Sequence, residues 1–329
     1  MAGGTAAPWL SNFPFGFAQG VSIRGIPVLN QYGGQTFWVD SVNGNDGGPG
    51  TFQQPWATIG NAITRATGAL GAYQPRAGRG DIIMVKAGHS ETISSATALT
   101  LSVSGLQFIG LGIGSLRPTI TFDTATTATI NVTAAQVMFQ NFLFVANFAA
   151  IVAPFTLTTA KDFTLIGCEF RDSSSVLNFK LLVDTNTTSN DADGLTLIGN
   201  NWFGLGATSG SAAIQMDGTN TRLTFQGNYM SHAATSTAGF MPIATGKVVT
   251  NALITDNIFS LTGAQAATTG ILITTDGTTN SGWIARNLIQ SLDDTSEILV
   301  TASSGFRFSQ NYYSGAADKS GYLLPAADA

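Results

Sequence analysis

Hydrolysis of a glycosidic bond needs two carboxylates facing one sugar. Asp184 and Asp217 are the pair in this chain whose placement suits that work. Each follows a recurrent sequence mark by nearly the same interval. Neighbouring strands of a sheet lie about 4.8 Å apart, so equivalent positions on adjacent rungs would set the two carboxyls about 5 Å from each other. The remaining chemistry-bearing residues read more plainly as structure. Asp191 and Asp193 fall in TNTTSNDADG, where Asp-Ala-Asp-Gly has the composition of a turn and, secondarily, of a calcium loop. Asp293, Asp294 and Glu297 form an acidic group best read as a solvated face. Arg171, beside Glu169 and Asp172, is the one arginine placed to act as a base among acids, and a simple ion pair accounts for it better. His89 and His232 lack metal-ligand spacing, and no nucleophile elbow, phosphate loop or dinucleotide fingerprint is present. Cys168 is the single cysteine, which excludes an internal disulfide and points to a buried packing role. No metal and no cofactor are expected.

The elements that position these residues come from a recurring phrase: VMFQNFLF from Val137, FTLIGCEF from Phe163, LTLIGNNWF from Leu195, LTFQGNYM from Leu223, ALITDNIF from Ala252, GWIARNLI from Gly282 and FRFSQNYY from Phe306. It returns at intervals of roughly 28 residues, the mark of a stacked architecture. Within it, apolar residues alternate with any residue, which is the period of a strand and excludes helical repeats. Its polar position is expected to form a structural ladder of Asn141, Cys168, Asn200, Asn228, Asn257, Asn287 and Asn311, placed where each strand bends into the next. Stacked amides can hydrogen-bond from rung to rung. Coils of this length hold three short strands and three turns, so the expected fold is an all-β, single-stranded parallel β-helix. It resembles the right-handed pectate-lyase-like β-helix, in which an inward asparagine ladder occupies one tight turn.

Composition limits the partners. Of 329 residues, 44% are hydrophobic and only 10% charged, against about 25% in a typical domain. The formal net charge is −5 with no basic run, which removes the electrostatic footing for nucleic acid. No apolar run is long enough to span a bilayer, and MAGGTAAPWL lacks the basic-then-apolar pattern of a secretory signal. The chain is therefore expected to be made in a host cytoplasm and to reach an exterior by assembly rather than by an N-terminal export signal.

Three regions follow along the chain. Residues 1–36 are an apolar segment punctuated by Pro and Gly, expected to be an extended anchoring arm that docks through Trp9, Phe13, Phe15, Phe17, Ile23 and Arg24. Residues 37–80 hold an opening strand, a turn-rich loop, and an amphipathic helix predicted from Pro55 to Ala66 that would cap the apolar end of the solenoid. Residues 81–329 form the β-helix body. The succession VDSVNGNDG, PWATIGNAI and GDIIMVKAGHSETI resembles the opening segment of many right-handed β-helix proteins.

SNFPFGFAQGVSIRGIPVLN followed by a β-helix resembles phage virion proteins of the pectate-lyase-like class. The resemblance implies a bacteriophage structural protein of the capsid-decoration or cement kind. Such a protein attaches by its arm to the major capsid protein or another virion protein, sits on the capsid exterior and packs as a homotrimer. It implies no enzyme. The alternative is a tailspike-like protein that binds or depolymerises polysaccharide, with Asp184 and Asp217 as its acids.

Overall fold

The computed structural model describes residues 22–23, 26–27, 34–67, 74–75, 77–78, 80–206, 212–233, 240–262, 271–275, 279–291, 298–300, 305–314 and 320–322. Alternation in the sequence becomes alternation in space. Ile82–Val85 and Gln107–Gly110 each bury every second side chain, and the same pattern recurs rung after rung. Parallel pairing then stacks the rungs into three faces. Sheet 1 is ten-stranded, running from Thr36–Val39 and Ile82–Val85 to Gly305–Ser309. Sheet 2 is also ten-stranded, from Ser90–Ile93 to Tyr312–Ser314, with Ser320–Tyr322 folded back antiparallel at its end. Sheet 3 is five-stranded, comprising Leu99–Leu101, Ile130–Val132, Phe155–Leu157, Leu181–Thr185 and Ala212–Gln215. A Met216–Ile243 bridge follows it, and a three-stranded sheet begins at Met241–Pro242. The fold is the single-stranded parallel β-helix that the repeat implies.

The core is a set of apolar columns. In sheet 1, Phe108, Phe139, Leu165, Leu197, Phe225 and Ile254 lie in register and are fully buried. Rings stack where the column is aromatic: Phe108 and Phe139 are 4.6 Å apart between centroids, and Phe144 and Phe170 are 5.1 Å apart. Each such side chain contributes about 1.5–3 kcal/mol by burial.

At the corner between sheets 1 and 2 the ladder forms. The Asn200 backbone N–H and its Nδ2 both donate to Asn228 Oδ1, at 2.8 and 3.1 Å. Asn228 does the same to Asn257, Asn257 to Asn287, and Asn287 to Asn311. The remaining amide hydrogen of each goes inward, Asn200 to Leu165 O and Asn228 to Leu197 O. Cys168 is the first rung: its N–H donates to Asn200 Oδ1, and its Sγ lies 3.6 Å from Phe139 O, the carbonyl equivalent to those the amides use.

Two sequence expectations need correction at this corner. Asn141 is not a rung. Gln140 pairs with Ile166, so Asn141 is level with Gly167 and Phe142 occupies the ladder position above Cys168. The left-handed conformation also belongs to the residue before each ladder position: Asn141 (φ 61°), Gly167, Gly199, Gly227, Asp256, Arg286 and Gln310. Asn141 holds its place there by donating Nδ2 to the carbonyls of Gly110 and Gly112.

The helix begins later than the proline suggests, spanning Ile59–Thr67. Trp56 instead bridges to Val39 as an added piece of strand, with its N–H on Trp38 O. Thr58 is the N-cap, its Oγ1 accepting from Asn61 N at 3.0 Å, and Glu91 Oε2 accepts from Ile59 N at 2.9 Å. The buried face, Ile59, Ala62 and Ile63, packs on Leu99–Leu101 at the open end of sheet 3. In the N-terminal segment, Ser22–Ile23 pairs antiparallel with Ile26–Pro27. Trp9, Phe13, Phe15, Phe17 and Arg24 lie outside the described residues.

Replacing Asn228 with Ala leaves two buried donors of Asn200 unpaired. Asn228→Ala is expected to cost about 3 kcal/mol, read as a lowered denaturation midpoint. Asn141→Gly keeps the left-handed turn and is expected to cost about 1 kcal/mol in the same measurement.

Candidate functional site

The outward positions of sheet 3 form one polar column: Thr100, Asn131, Thr156, Asp184 and Gln215 are successive register partners. They face out because Phe155, Val183 and Ile214, one residue earlier on their strands, are buried. The partner of Asp184 is thus Gln215, not Asp217. Asp217 lies two residues further along, past buried Met216, because the two coils differ in length by a residue between their ladder positions and sheet 3. It still faces the same way as Gln215, whose Nε2 donates to both its carboxylate oxygens at 2.9 and 3.1 Å. Thr185 Oγ1 accepts from the Asp217 N–H at 2.9 Å.

Electrostatics couple the two acids although register does not. Burial, and then the charge of Asp217, push the Asp184 carboxyl up to about 6. Asp184 Oδ1 is shielded from solvent and has no hydrogen-bond partner, and Asn131 Oδ1 in the same column is in the same condition. Thr156 Oγ1 is engaged by Thr129 at 3.1 Å. A carboxyl that titrates near neutrality beside a second carboxylate can donate and take back a proton. The register neighbours Thr156 and Gln215 add hydrogen-bonding groups, but neither is an aromatic on which a sugar ring could stack.

The other candidates resolve into structure. Glu169 engages both Arg117, at 3.0 Å, and Arg171, so Arg171 is an ion-pair partner. Asp172 turns inward and clamps two loops, Oδ1 accepting from Phe179 N at 3.0 Å and Oδ2 from Leu205 N and Gly206 N at 2.8 and 3.2 Å. Burial still pushes its carboxyl up to about 6 against those donors. Asp193 Oδ1 accepts from Thr221 N on the next coil and Asp191 Oδ2 from Asn186 Nδ2 within the loop, so both acids are engaged in structural bonds. His232 is buried between Trp202 and Phe240, at 5.4 and 4.8 Å between ring centroids, and burial pulls it down to about 4, so it is neutral near pH 7. His89 accepts the Ser41 N–H at Nδ1, which leaves Nε2–H to donate to Glu91, the residue that holds the helix start. Cys168 is buried and its thiol is pushed up to about 12 by burial. Asp293, Asp294 and Glu297 lie outside the described residues. Among the described residues no group of three or more His, Cys, Asp or Glu is placed to hold a metal ion. No described helix is long and apolar enough to cross a membrane.

Sequence reasoning missed the clamp at Asp172. The signal was present: in GCEFRD, Phe170 is inward, and alternation sends Asp172 inward too.

No protein-family model matches the chain, and no curated protein matches it in sequence. Four chains of solved structures match by shape, among them a rhamnogalacturonan lyase. That match covers 88% of this chain and 90% of the other, at 11% identity and a TM-score of 0.41. A likeness of that size transfers neither residue roles nor an activity.

Two outcomes follow. The folded carboxyls of Asp172 and Asp184 hold protons that the unfolded chain releases near pH 4, so their contribution to stability is present below about pH 4 and is lost as pH rises to about 6. Asp184→Asn, which mimics the protonated form, is expected to flatten part of that fall. After discounting for solvent screening, it should raise stability at pH 7.5 by about 1 kcal/mol while changing nothing at pH 4. Cys168 should resist a thiol reagent at pH 8 in the native protein and react fully after denaturation.

Proposed function

We propose that this chain is a structural protein of a bacteriophage particle, of the capsid-decoration or cement kind. Its N-terminal segment attaches it to the major capsid protein or another virion protein, and its solenoids associate as a trimer on the particle exterior. The observation that supports this reading best is the outer surface of sheet 1. Among the described residues its outward side chains include Trp38, Met84, Ile109, Ile166, Ile198 and Trp283 beside Gln107, Gln140, Gln226 and several threonines, with Arg307 as the one charge. A broad face of that kind gives an assembly protein area to bury and gives an enzyme nothing to react with. The apolar residues 1–36 add a second adhesive element. No nucleic acid, membrane or cofactor enters this reading.

A second reading, glycan binding or cleavage, has one observation in its favour: the raised carboxyl of Asp184 beside Asp217. It would place the active acid on sheet 3.

Deleting residues 1–30 is expected to abolish incorporation into virions while leaving the β-sheet circular dichroism unchanged. Particles that carry the truncated chain at the normal level would end the arm's role. Host polysaccharide incubated with the full chain is expected to keep its chain length. Cleavage that Asp184→Asn and Asp217→Asn remove would replace the structural reading by the enzymatic one.

A further inference from the structure

We infer that Asp172 is a proton-operated latch on the corner between sheets 2 and 3: one buried carboxyl holds two loops, Asn178 accepts its proton, and the Trp202 indole serves its charged form. The latch belongs to the fold and is independent of the particle reading. Asp172 ends the strand Glu169–Asp172 and is 3% exposed. Its three hydrogen bonds come from segments far apart in sequence. Oδ1 accepts from Phe179 N, at the end of loop 173–178, and Oδ2 accepts from Leu205 N and Gly206 N, one coil further on. Both segments hold apolar side chains in solvent, with Val176 64% and Leu205 50% exposed. They also touch each other, since a Cβ on Gly206 would lie 2.6 Å from Asn178 Cγ.

Two further buried polar atoms border this clamp, and neither has a hydrogen-bond partner among the described residues. Asn178 precedes Phe179 and is fully buried; its Nδ2 donates to Ser175 O at 2.8 Å, which fixes the amide orientation and leaves Oδ1 an orphan acceptor. Trp202 is fully buried too, and its indole N–H acts on the Asp172 carboxyl without completing a hydrogen bond to it. An orphan donor and an orphan acceptor each cost free energy until met. Asp172 can meet either one. Oδ2 already takes two N–H bonds and Oδ1 takes one, so the proton goes to Oδ1, the oxygen on the Asn178–Phe179 side. There it donates to Asn178 Oδ1. Without the proton, the carboxylate draws the Trp202 N–H instead. One set of atoms with two arrangements, selected by a proton, is what a switch requires.

The other charges near this corner are already engaged or neutral in the relevant range. On the same strand Glu169 and Arg171 pair with each other. On the coils before it, Asp123 Oδ2 accepts from Asn147 Nδ2 at 3.0 Å. His232, one coil past Gly204, is neutral above about pH 4, and Lys180 follows Phe179 into sheet 3. Burial pushes the Asp172 carboxyl up to about 6 against its backbone donors, whereas a carboxyl in water titrates near 4. The proton therefore favours the closed corner. That preference is complete below about pH 4, falls about tenfold per unit as pH rises to about 6, and is gone above it. Opening of the two loops gains about a hundredfold over that window, so the corner is shut in acid and loosened at neutral pH.

The experiment is a titration of the full native chain from about pH 4 to about pH 7.5 with two readouts. One is the carboxyl-carbon shift of Asp172 by nuclear magnetic resonance. The other is the hydrogen-exchange protection of the Phe179, Leu205 and Gly206 amides, corrected for the intrinsic rate at each pH. Asp172 is expected to titrate near pH 6, and the three amides to lose protection together, about a hundredfold across the same window. Asn178→Ala removes the proton's acceptor and is expected to lower the midpoint by about one unit. Asp172→Asn keeps a donor toward Asn178 at every pH and is expected to abolish the fall in protection. A native carboxyl that titrates at about pH 4 or below overturns the inference, as does a midpoint near 6 with the three amides unchanged. An unmoved midpoint in Asn178→Ala overturns the assignment of Asn178 as acceptor. If either variant loses its circular dichroism, the two readouts on the native chain decide alone.

Discussion

From Asn228 onward, one side-chain oxygen per coil, accepting two hydrogen bonds from the coil before it, is the interaction on which this structure depends. A β-helix must turn sharply from sheet 1 into sheet 2 on every rung, and a turn buried on both sides leaves backbone donors with no water to meet. The ladder amides meet them. Each Oδ1 takes the backbone N–H and the Nδ2 of the neighbouring rung, and each remaining amide hydrogen reaches a carbonyl of sheet 1. Sequence separation between bonded rungs varies from 24 to 32 residues while the backbone N–H to Oδ1 bond recurs at every rung. Length variation is therefore pushed to the other corners, and sheets 1 and 2 run unbroken while sheet 3 is interrupted.

That asymmetry explains which parts of the fold were legible in the sequence. Alternation and a fixed polar mark identify the β-helix because both are imposed at the constant corner. Asn141 misled because asparagine suits two adjacent positions for different reasons: it tolerates the left-handed turn, and it builds the ladder. Only the pairing of Gln140 with Ile166 separates the two roles. Asp184 and Asp217 seemed equivalent because they were counted from the constant corner to the variable one. A one-residue difference between coils then put Gln215 opposite Asp184. The helix start was misplaced for a related reason. Pro55 is compatible with a first turn, but Trp56 gains more as a buried ring against Phe37, 5.1 Å away, and as a bridge to Val39.

Charge is scarce, and where it occurs it is mostly spent on structure. Glu91 holds the helix start, Asp172 clamps two loops, Glu169 joins two arginines, and Asp256 and Arg286 pin one edge of sheet 1. Asp184 is the exception, a carboxyl shielded without a partner for Oδ1 and lifted by its surroundings. The broad outer face of sheet 1, by contrast, carries almost no charge. Along that face the ladder keeps the last six strands of sheet 1 in register.

The ladder is tested most directly by hydrogen exchange resolved to single backbone amides. The N–H groups of Asn200, Asn228, Asn257 and Asn287, each bound to a side-chain oxygen of the next rung, are predicted to fall in the slowest-exchanging class. They should match the central strands of sheet 1. Exchange of these amides as fast as those of the exposed turn at Thr187 and Thr188 would contradict the account, because the corner would then be held by the sheets alone.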